Sequence, residues 1–290
     1  MKFGVIFANV GPMAYAEGAV AIGQAAEASG FESLWTVEHT VVPAGYASAY
    51  PYSPSGRMAG PEDSDIPDPL IWLSYVAAST STIRLGTGIL ILPLRNPIVL
   101  AKEVATLDRL SGGRVELGVG VGWLEEEFDA LGVPFTDRGQ RTDDYIAALR
   151  ALWTQDEATH DGRYVRFTDV ISRPQPTQAS VPIVVGGHSR AAARRAGRLG
   201  DGFIPGRGDH AELAELISVL RTTAVEHGRD PDVIEITARG DGVGGRKALD
   251  EVKALTDLGV SRVIVAPPSF DPEDQRRAFA KYGDEVIARC

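Results

Sequence analysis

Gly113-Arg114-Val115-Glu116-Leu117-Gly118-Val119-Gly120-Val121-Gly122-Trp123 reads as a short strand that ends in glycines and runs at once into the acidic segment Leu124 to Phe128, where a helix begins. Glycine at every second position strips the side chains from one face of the strand end, which is how a main chain admits a flat ligand. The spacing is G-x-G-x-G. A dinucleotide fingerprint needs G-x-G-x-x-G at the head of a βαβ unit, with an acidic residue about 20 residues further on. Close packing of at least one of these glycines against the rest of the fold is the alternative to a ligand-facing role.

Around this stretch one rhythm repeats. Apolar helical periodicity ends in a glycine and a short β-branched run follows: Ala25 to Gly30 then Glu32 to Thr36, Leu107 to Gly113 then Val115 to Gly118, Ala192 to Gly200 then Gly202 to Ile204, Val252 to Gly259 then Arg262 to Val265. With Lys2 to Phe7, Arg84 to Ile91, Pro182 to Val185 and Ile234 to Ala238 the count is eight short strands, nearly every one followed by a helical segment. That predicts an α/β protein, a (β/α)8 TIM barrel as a single domain over residues 1–290. Periodicity does not close a barrel, so a doubly wound open sheet is the structural alternative. Two segments break the rhythm. Thr40 to Pro69, rich in Pro, Gly, Ser and Tyr, is an inserted loop after the second strand, either a lid or a mobile surface loop, and Thr159 to Pro176 reads as an inserted hairpin before the fifth strand.

Composition narrows the function. A chain of 290 residues with 44% hydrophobic and 23% charged content is expected to be a soluble globular protein with a sizeable core. Met1 to Phe7 reads as a strand rather than a signal sequence, and no apolar run reaches membrane-spanning length, so the expected location is cytoplasmic. The single cysteine, Cys290, leaves no internal disulfide and no cysteine-based zinc site. A net charge of −10 without a basic cluster argues against nucleic acid and against an anionic membrane surface as partners. A bound anion would have to be held by local donors.

In a TIM barrel the chemistry sits at the C-terminal ends of the strands. Here these read Ser33 to Glu38-His39, Leu85-Gly86-Thr87-Gly88-Ile89, Gly120-Val121-Gly122-Trp123, Val185-Gly186-Gly187-His188-Ser189-Arg190 and Ile204-Pro205-Gly206-Arg207-Gly208. The rim is poor in acids and in metal ligands, carries one Glu-His pair and exposes much bare backbone. Such a rim orients a cofactor that brings the reactivity, and supplies a proton donor and an anion site.

With Glu38-His39, Leu85 to Pro97, Glu103 to Trp123, Gly186-Gly187-His188 and Gly200-Asp201-Gly202-Phe203 in this order, the chain resembles the luciferase-like monooxygenase superfamily, and within it the branch that uses the deazaflavin coenzyme F420. The resemblance implies a flavin-like ring in the barrel mouth, with F420 as the coenzyme and FMN, working with O2 as a monooxygenase cofactor, as the alternative. It implies hydride transfer to or from a small-molecule substrate, a homodimer, and a flavin or F420 reductase that supplies reduced cofactor. His39 would be the acid or base, a role for which an imidazole titrates in the right range; as a lone histidine it could equally be structural. Glu38 would lie near the ring, Gly88-Ile89 would be the non-prolyl cis bulge of the third strand, and Gly120, Gly122 and Trp123 would flank the ring. The phosphate end would rest on Gly186, Gly187, His188 and Ser189 at a helix start, with Gly206 and Arg207 beyond, although Arg207 could also be a solvated loop arginine. One departure matters. Some deazaflavin dehydrogenases carry a glutamate where this chain has Trp123, so the proton donor is open, and reduction of an activated double bond or oxygenation stands beside alcohol oxidation.

Two other classes remain at this point. Gly187-His188-Ser189-Arg190-Ala191 falls one residue short of the G-x-S-x-G nucleophile elbow, which would make Ser189 a hydrolase nucleophile, but the later histidines, His210 and His227, are far from the chain end. A non-catalytic binding barrel is the other.

Overall fold

The structure, a computed structural model, describes residues 1–206, 209–240, 242 and 244–290. Its strands are β1 (Lys2–Ile6), β2 (Ser33–Thr36), β3 (Arg84–Thr87), β4 (Leu90–Ile91), β5 (Val115–Gly120), β6 (Ala158–Asp161), β7 (Arg166–Val170), β8 (Ile183–Gly186), β9 (Gly202–Ile204), β10 (Glu235–Arg239) and β11 (Arg262–Val265). Its α-helices are α1 (Ala16–Ala28), α2 (Pro69–Ala77), α3 (Pro97–Ser111), α4 (Glu125–Ala130), α5 (Arg138–Thr154), α6 (Arg190–Leu199), α7 (His210–Glu226), α8 (Arg246–Asp257) and α9 (Pro272–Glu285).

The nine-stranded sheet runs β3-β2-β1-β11-β10-β9-β8-β5-β4, and a further pairing of β3 with β5 closes it. All its pairings are parallel, and β3 and β4 are two pieces of one barrel strand that both pair with β5. The result is a closed eight-stranded parallel barrel wrapped in helices, the (β/α)8 TIM barrel expected from the rhythm of the sequence. Closure removes the open doubly wound sheet and, with it, both the dinucleotide-binding and the hydrolase readings. The expected hairpin is the antiparallel pair β6 and β7, and residues 37–68 between β2 and α2 form turns and bends.

Helix starts carry local signals. Asp68 accepts from the Leu70 and Ile71 amides with Pro69 in the first turn of α2, and Asn96 does the same for Ile98 and Val99 ahead of α3. Asp209 and Glu212 form a capping box on α7. At the helix ends, Gly30 and Gly259 have φ of 83° and 89°, the left-handed geometry a C-terminal glycine permits. Gly200 departs from that pattern with φ −85°. There the reason is space, because a Cβ would come within 2.9 Å of the Gly202 carbonyl oxygen.

Alternation along each strand divides two cores. Val115, Leu117 and Val119 of β5 face the helices within the large outer core, as do Phe3, Val5, Leu34, Leu85, Ile183, Val185, Val263 and Val265 from neighbouring strands. The opposite face of β5, Glu116, Gly118 and Gly120, looks into the lumen. At the base of the lumen Arg262, 0% exposed, donates to both carboxylate oxygens of Glu32 at 3.1 Å and to Glu116 at 2.8 Å. Glu235 lies 3.2 Å from the same guanidinium. Above that layer sit Trp35, Val184, Ile204, Ile264 and Ile6.

The α1 end is tied to the turn ahead of β3 by one carboxylate. Glu27 accepts from the amides of Ser81, Thr82 and Ile83 and from the Thr82 hydroxyl. Partial burial pushes its carboxyl up, and these four donors outweigh it, lowering it to about 2. Because the folded-state value is depressed, the contact stabilises the fold above the ordinary carboxyl range and is lost as pH falls toward 2. Glu27→Gln is therefore expected to lower the unfolding midpoint at pH 6 and to match the unsubstituted protein near pH 2. Equal midpoints at pH 6 would contradict the assignment.

Candidate active site at the C-terminal mouth

The floor of the mouth is made by the third barrel strand. The Gly88-Ile89 peptide is cis, as the resemblance implies for this position. Ile89 turns its side chain into the lumen, where a Cβ on Gly120 would overlap its Cδ1 and a Cβ on Gly186 its Cγ2. Gly118 likewise leaves room for the Thr87 carbonyl oxygen, and Gly86 for the Trp35 indole, 2.6 Å from a Cβ built there. This corrects the reading of the glycine run as a face cleared for a ligand. The cleared space is filled by the protein's own third strand, and a ligand above it meets Ile89 rather than the bare backbone of Gly118 and Gly120. Gly122, with φ 80°, turns the chain out of β5 past Phe128 and Ile91.

Glu38 and His39 follow β2. Asn9, 0% exposed at the end of β1, clamps the backbone just ahead of them, accepting from the Val37 amide at 2.8 Å and donating to the Val37 carbonyl at 2.9 Å. The buried Glu38 carboxylate accepts from the Ile91 amide and from Arg95, and Arg95 also reaches Asp68 at 2.7 Å. Burial pushes the Glu38 carboxyl up while Arg95 and the Ile91 amide pull against it. Both oxygens of Glu38 thus hold the segment after the cis peptide in place.

His39 has a partner that sequence reasoning missed. Its Nδ1 lies 2.8 Å from Glu127 Oε2, with the two side chains 10% and 1% exposed. The other oxygen of Glu127 accepts from the Thr40 amide at 2.6 Å and from Val41 at 3.3 Å. With Glu127 as a carboxylate, which only accepts, Nδ1 is the donor in this contact. The signal was present in the acidic run after Trp123. Glu125, Glu126 and Glu127 fill the first turn of α4, and one turn of helix carries Glu127 back toward the strand end.

Trp123 is the hub of an aromatic group drawn from the loop after β2. Its ring centroid is 5.7 Å from His39, 5.4 Å from Tyr46 and 5.1 Å from Tyr50, all edge to face. Tyr50 in turn meets Tyr52 at 5.4 Å. These tyrosines carried no spacing motif, and only the composition of the loop marked them.

On the far side of the mouth Gly187 has φ 129° and Ser189 caps α6, its hydroxyl accepting from the Ala192 amide at 3.1 Å. Capping, not nucleophilic attack, is the role this geometry gives Ser189. Burial raises the Tyr52 phenol, with the nearby His188 backbone pulling the other way. The Tyr52 ring lies where a Cβ on Gly206 would fall. His188 Nδ1 is buried and, among the described residues, without a hydrogen-bond partner. A cleft of about 580 Å³, lined by His188, Gly206, His210, Arg239, Lys247 and Glu251 among others, adjoins these groups. Arg207 lies outside the described residues.

The structure thus brings His39, Trp123 and Glu127 together on one side and Gly186, His188 and Gly206 on the other, with Ile89 between as the floor. The sequence model of the luciferase-like monooxygenase family matches residues 1–245, and the chain belongs to that family. It is 34% identical over 279 residues to an uncharacterised protein of Mycobacterium tuberculosis, covering 93% of this chain and 94% of that one. It is also 33% identical over 218 residues to the F420-dependent glucose-6-phosphate dehydrogenase of Kineococcus radiotolerans, covering 73% of this chain and 59% of the relative. In fold it matches the coenzyme F420-dependent tetrahydromethanopterin reductase of Methanopyrus kandleri with a TM-score of 0.78 at 18% identity, over 99% of both chains.

The Ile89 seat gives a direct test. Gly186→Ala is expected to cost about 1–3 kcal/mol by overpacking. Combined with Ile89→Ala, which vacates the space, the loss should fall short of the sum of the single losses by at least about 0.5 kcal/mol. Additive losses in urea unfolding would show that the two residues do not share that space.

Proposed function

We propose that this chain is an oxidoreductase of the F420-dependent branch, transferring hydride between the deazaflavin and a small organic substrate, with His39 moving the proton. The His39-Glu127 pair carries the reading. It puts a polarised imidazole at the mouth of a barrel whose family uses flavin-like coenzymes, beside a floor and an anion-accepting rim that fit such a group. The fit rests on the orphaned His188 Nδ1 and on the amide end of α6, donors suited to a phosphate. The F420-dependent relative favours the deazaflavin over FMN, and the family's monooxygenases make FMN the reading to test against it.

Bound here, coenzyme F420 would supply or accept the hydride. The protein's own part is proton movement and placement. Ile89 would back the ring, and Gly186 to Ser189 with Gly206 would receive the phosphate end. His39 Nε2 gives a proton to, or takes one from, the substrate atom beside the carbon that exchanges hydride. When Nε2 is protonated the ring is cationic, and Glu127 Oε2 stabilises that charge through Nδ1 while its Oε1, held by Thr40 and Val41, keeps the carboxylate from turning away. Trp123 removes the carboxylate that some relatives place at the substrate. Glu127, four residues on, provides one at the opposite nitrogen, so the imidazole is the group that exchanges the proton and the carboxylate tunes it.

Titration of the purified protein with F420H2 and with FMNH2, followed by tryptophan fluorescence, should give saturable quenching with the deazaflavin. Tight FMNH2 binding without an F420H2 response would overturn the coenzyme assignment.

His39→Ala should keep coenzyme affinity while losing turnover, and Glu127→Gln should lower kcat about 10–100-fold with a shifted pH profile. Unchanged turnover in His39→Ala would return that residue to a structural role.

A further inference from the structure

The chain leaves β1 through an uncommon turn. Phe7 has φ 60°, left-handed backbone in a residue with a large side chain, and such geometry persists where the surroundings require it. The turn keeps the Ala8 amide on the Trp35 carbonyl at 3.2 Å and lays the Asn9 side chain along the segment that continues β2. Val37, the first residue after β2, has its amide and its carbonyl both taken by that one side chain, which is 0% exposed. A carboxamide suits this task because it offers a donor and an acceptor side by side, as a neighbouring strand does.

Asn9 reaches a second segment as well. Its Nδ2 lies 3.4 Å from the carbonyl oxygen of Pro67, at the far end of the loop after β2. One residue further along on both sides, Arg95 bridges Glu38 and Asp68. Residues 37 and 38 are therefore joined to residues 67 and 68 by two successive side chains that cinch the loop at its root, and His39 is the first residue beyond the cinch. The middle of the loop is fastened by a different group, Glu126, which accepts from the amides of Ala47 at 2.6 Å and Ser48 at 3.0 Å.

We propose that Asn9 is a positioning residue for His39. The Val37 amide belongs to the peptide plane before that residue and its carbonyl to the plane after it. Holding both planes sets the direction in which Glu38 and His39 leave the strand, Glu38 toward Ile91 and Arg95, His39 toward Glu127. Asn9 thus acts through the backbone, two residues ahead of the imidazole. The inference rests on the oxidoreductase reading above, in which His39 moves the proton, and adds to it the group that keeps the ring on its carboxylate partner.

The test is nuclear magnetic resonance of protein carrying isotope-labelled histidine, near neutral pH, following exchange with water of the His39 Nδ1 proton, identified by its loss in His39→Ala. In Asn9→Leu, close to asparagine in size but without donor or acceptor, exchange is expected to be at least about tenfold faster in protein that is folded by circular dichroism. Asn9→Asp keeps the acceptor for the Val37 amide and sets a carboxylate oxygen against the Val37 carbonyl, so it should accelerate exchange too, and it carries the test if Asn9→Leu does not fold. Glu27→Gln, which weakens the fold at the other end of the barrel strands, should leave exchange within about twofold. Unchanged exchange in either Asn9 variant, an equal acceleration in Glu27→Gln, failure of both Asn9 variants to fold, or absence of the His39 signal from the unsubstituted protein would overturn the proposal. The measurement needs neither coenzyme nor substrate. Absence of F420 binding would therefore remove the coenzyme assignment alone, and unchanged exchange would remove the role of Asn9 alone.

Discussion

The lumen of an eight-stranded barrel has a fixed cross-section, and everything at the mouth depends on how this chain fills it. The base is a set of paired charges centred on Arg262, which touches three carboxylates and lies 5.1 Å from the Trp35 ring above it. Unpaired, these charges would be prohibitive at that depth; paired, they form a polar plug. Trp35 occupies the middle because Gly86 and Gly4 lack side chains there, and Ile89 occupies the top because Gly120 and Gly186 do. Two large residues and four glycines therefore set the height of the floor on which any ligand rests.

The barrel was legible because strand, helix and glycine recur at a steady interval and a parallel sheet buried on both faces must be apolar along its whole length. Closure was not, since it resides in the pairing of β3 with β5, about thirty residues apart, and no local pattern encodes it. The glycine run shows how a correct observation can carry the wrong partner. Alternation showed that one face of β5 was bare, but whether ligand or protein fills a bare face depends on the strand opposite.

The site was legible in its parts that belong to strand ends and illegible in those that arrive from elsewhere. His39, the Gly88-Ile89 bulge and the start of α6 follow from position in the barrel. Glu127 comes from a short helix whose three consecutive acids look alike in sequence, and only the fold separates the one behind His39 from Glu126, which holds the loop. The tyrosines of residues 46–52 sit in a segment with neither helical nor strand period, so no rule of spacing could bring them to Trp123.

The seat of the Tyr52 ring over Gly206 has a thermodynamic corollary. In this conformation a phenol ring of the protein covers the rim, lying where a Cβ on Gly206 would fall. Any ligand that claims the backbone at Gly206 does so in competition with that ring, and its apparent affinity is its intrinsic affinity scaled by the fraction of molecules in which Tyr52 is elsewhere. The loop after β2 thus lies over Gly206 at one end of the mouth and against Trp123, beside His39, at the other, so that one segment links the two ends.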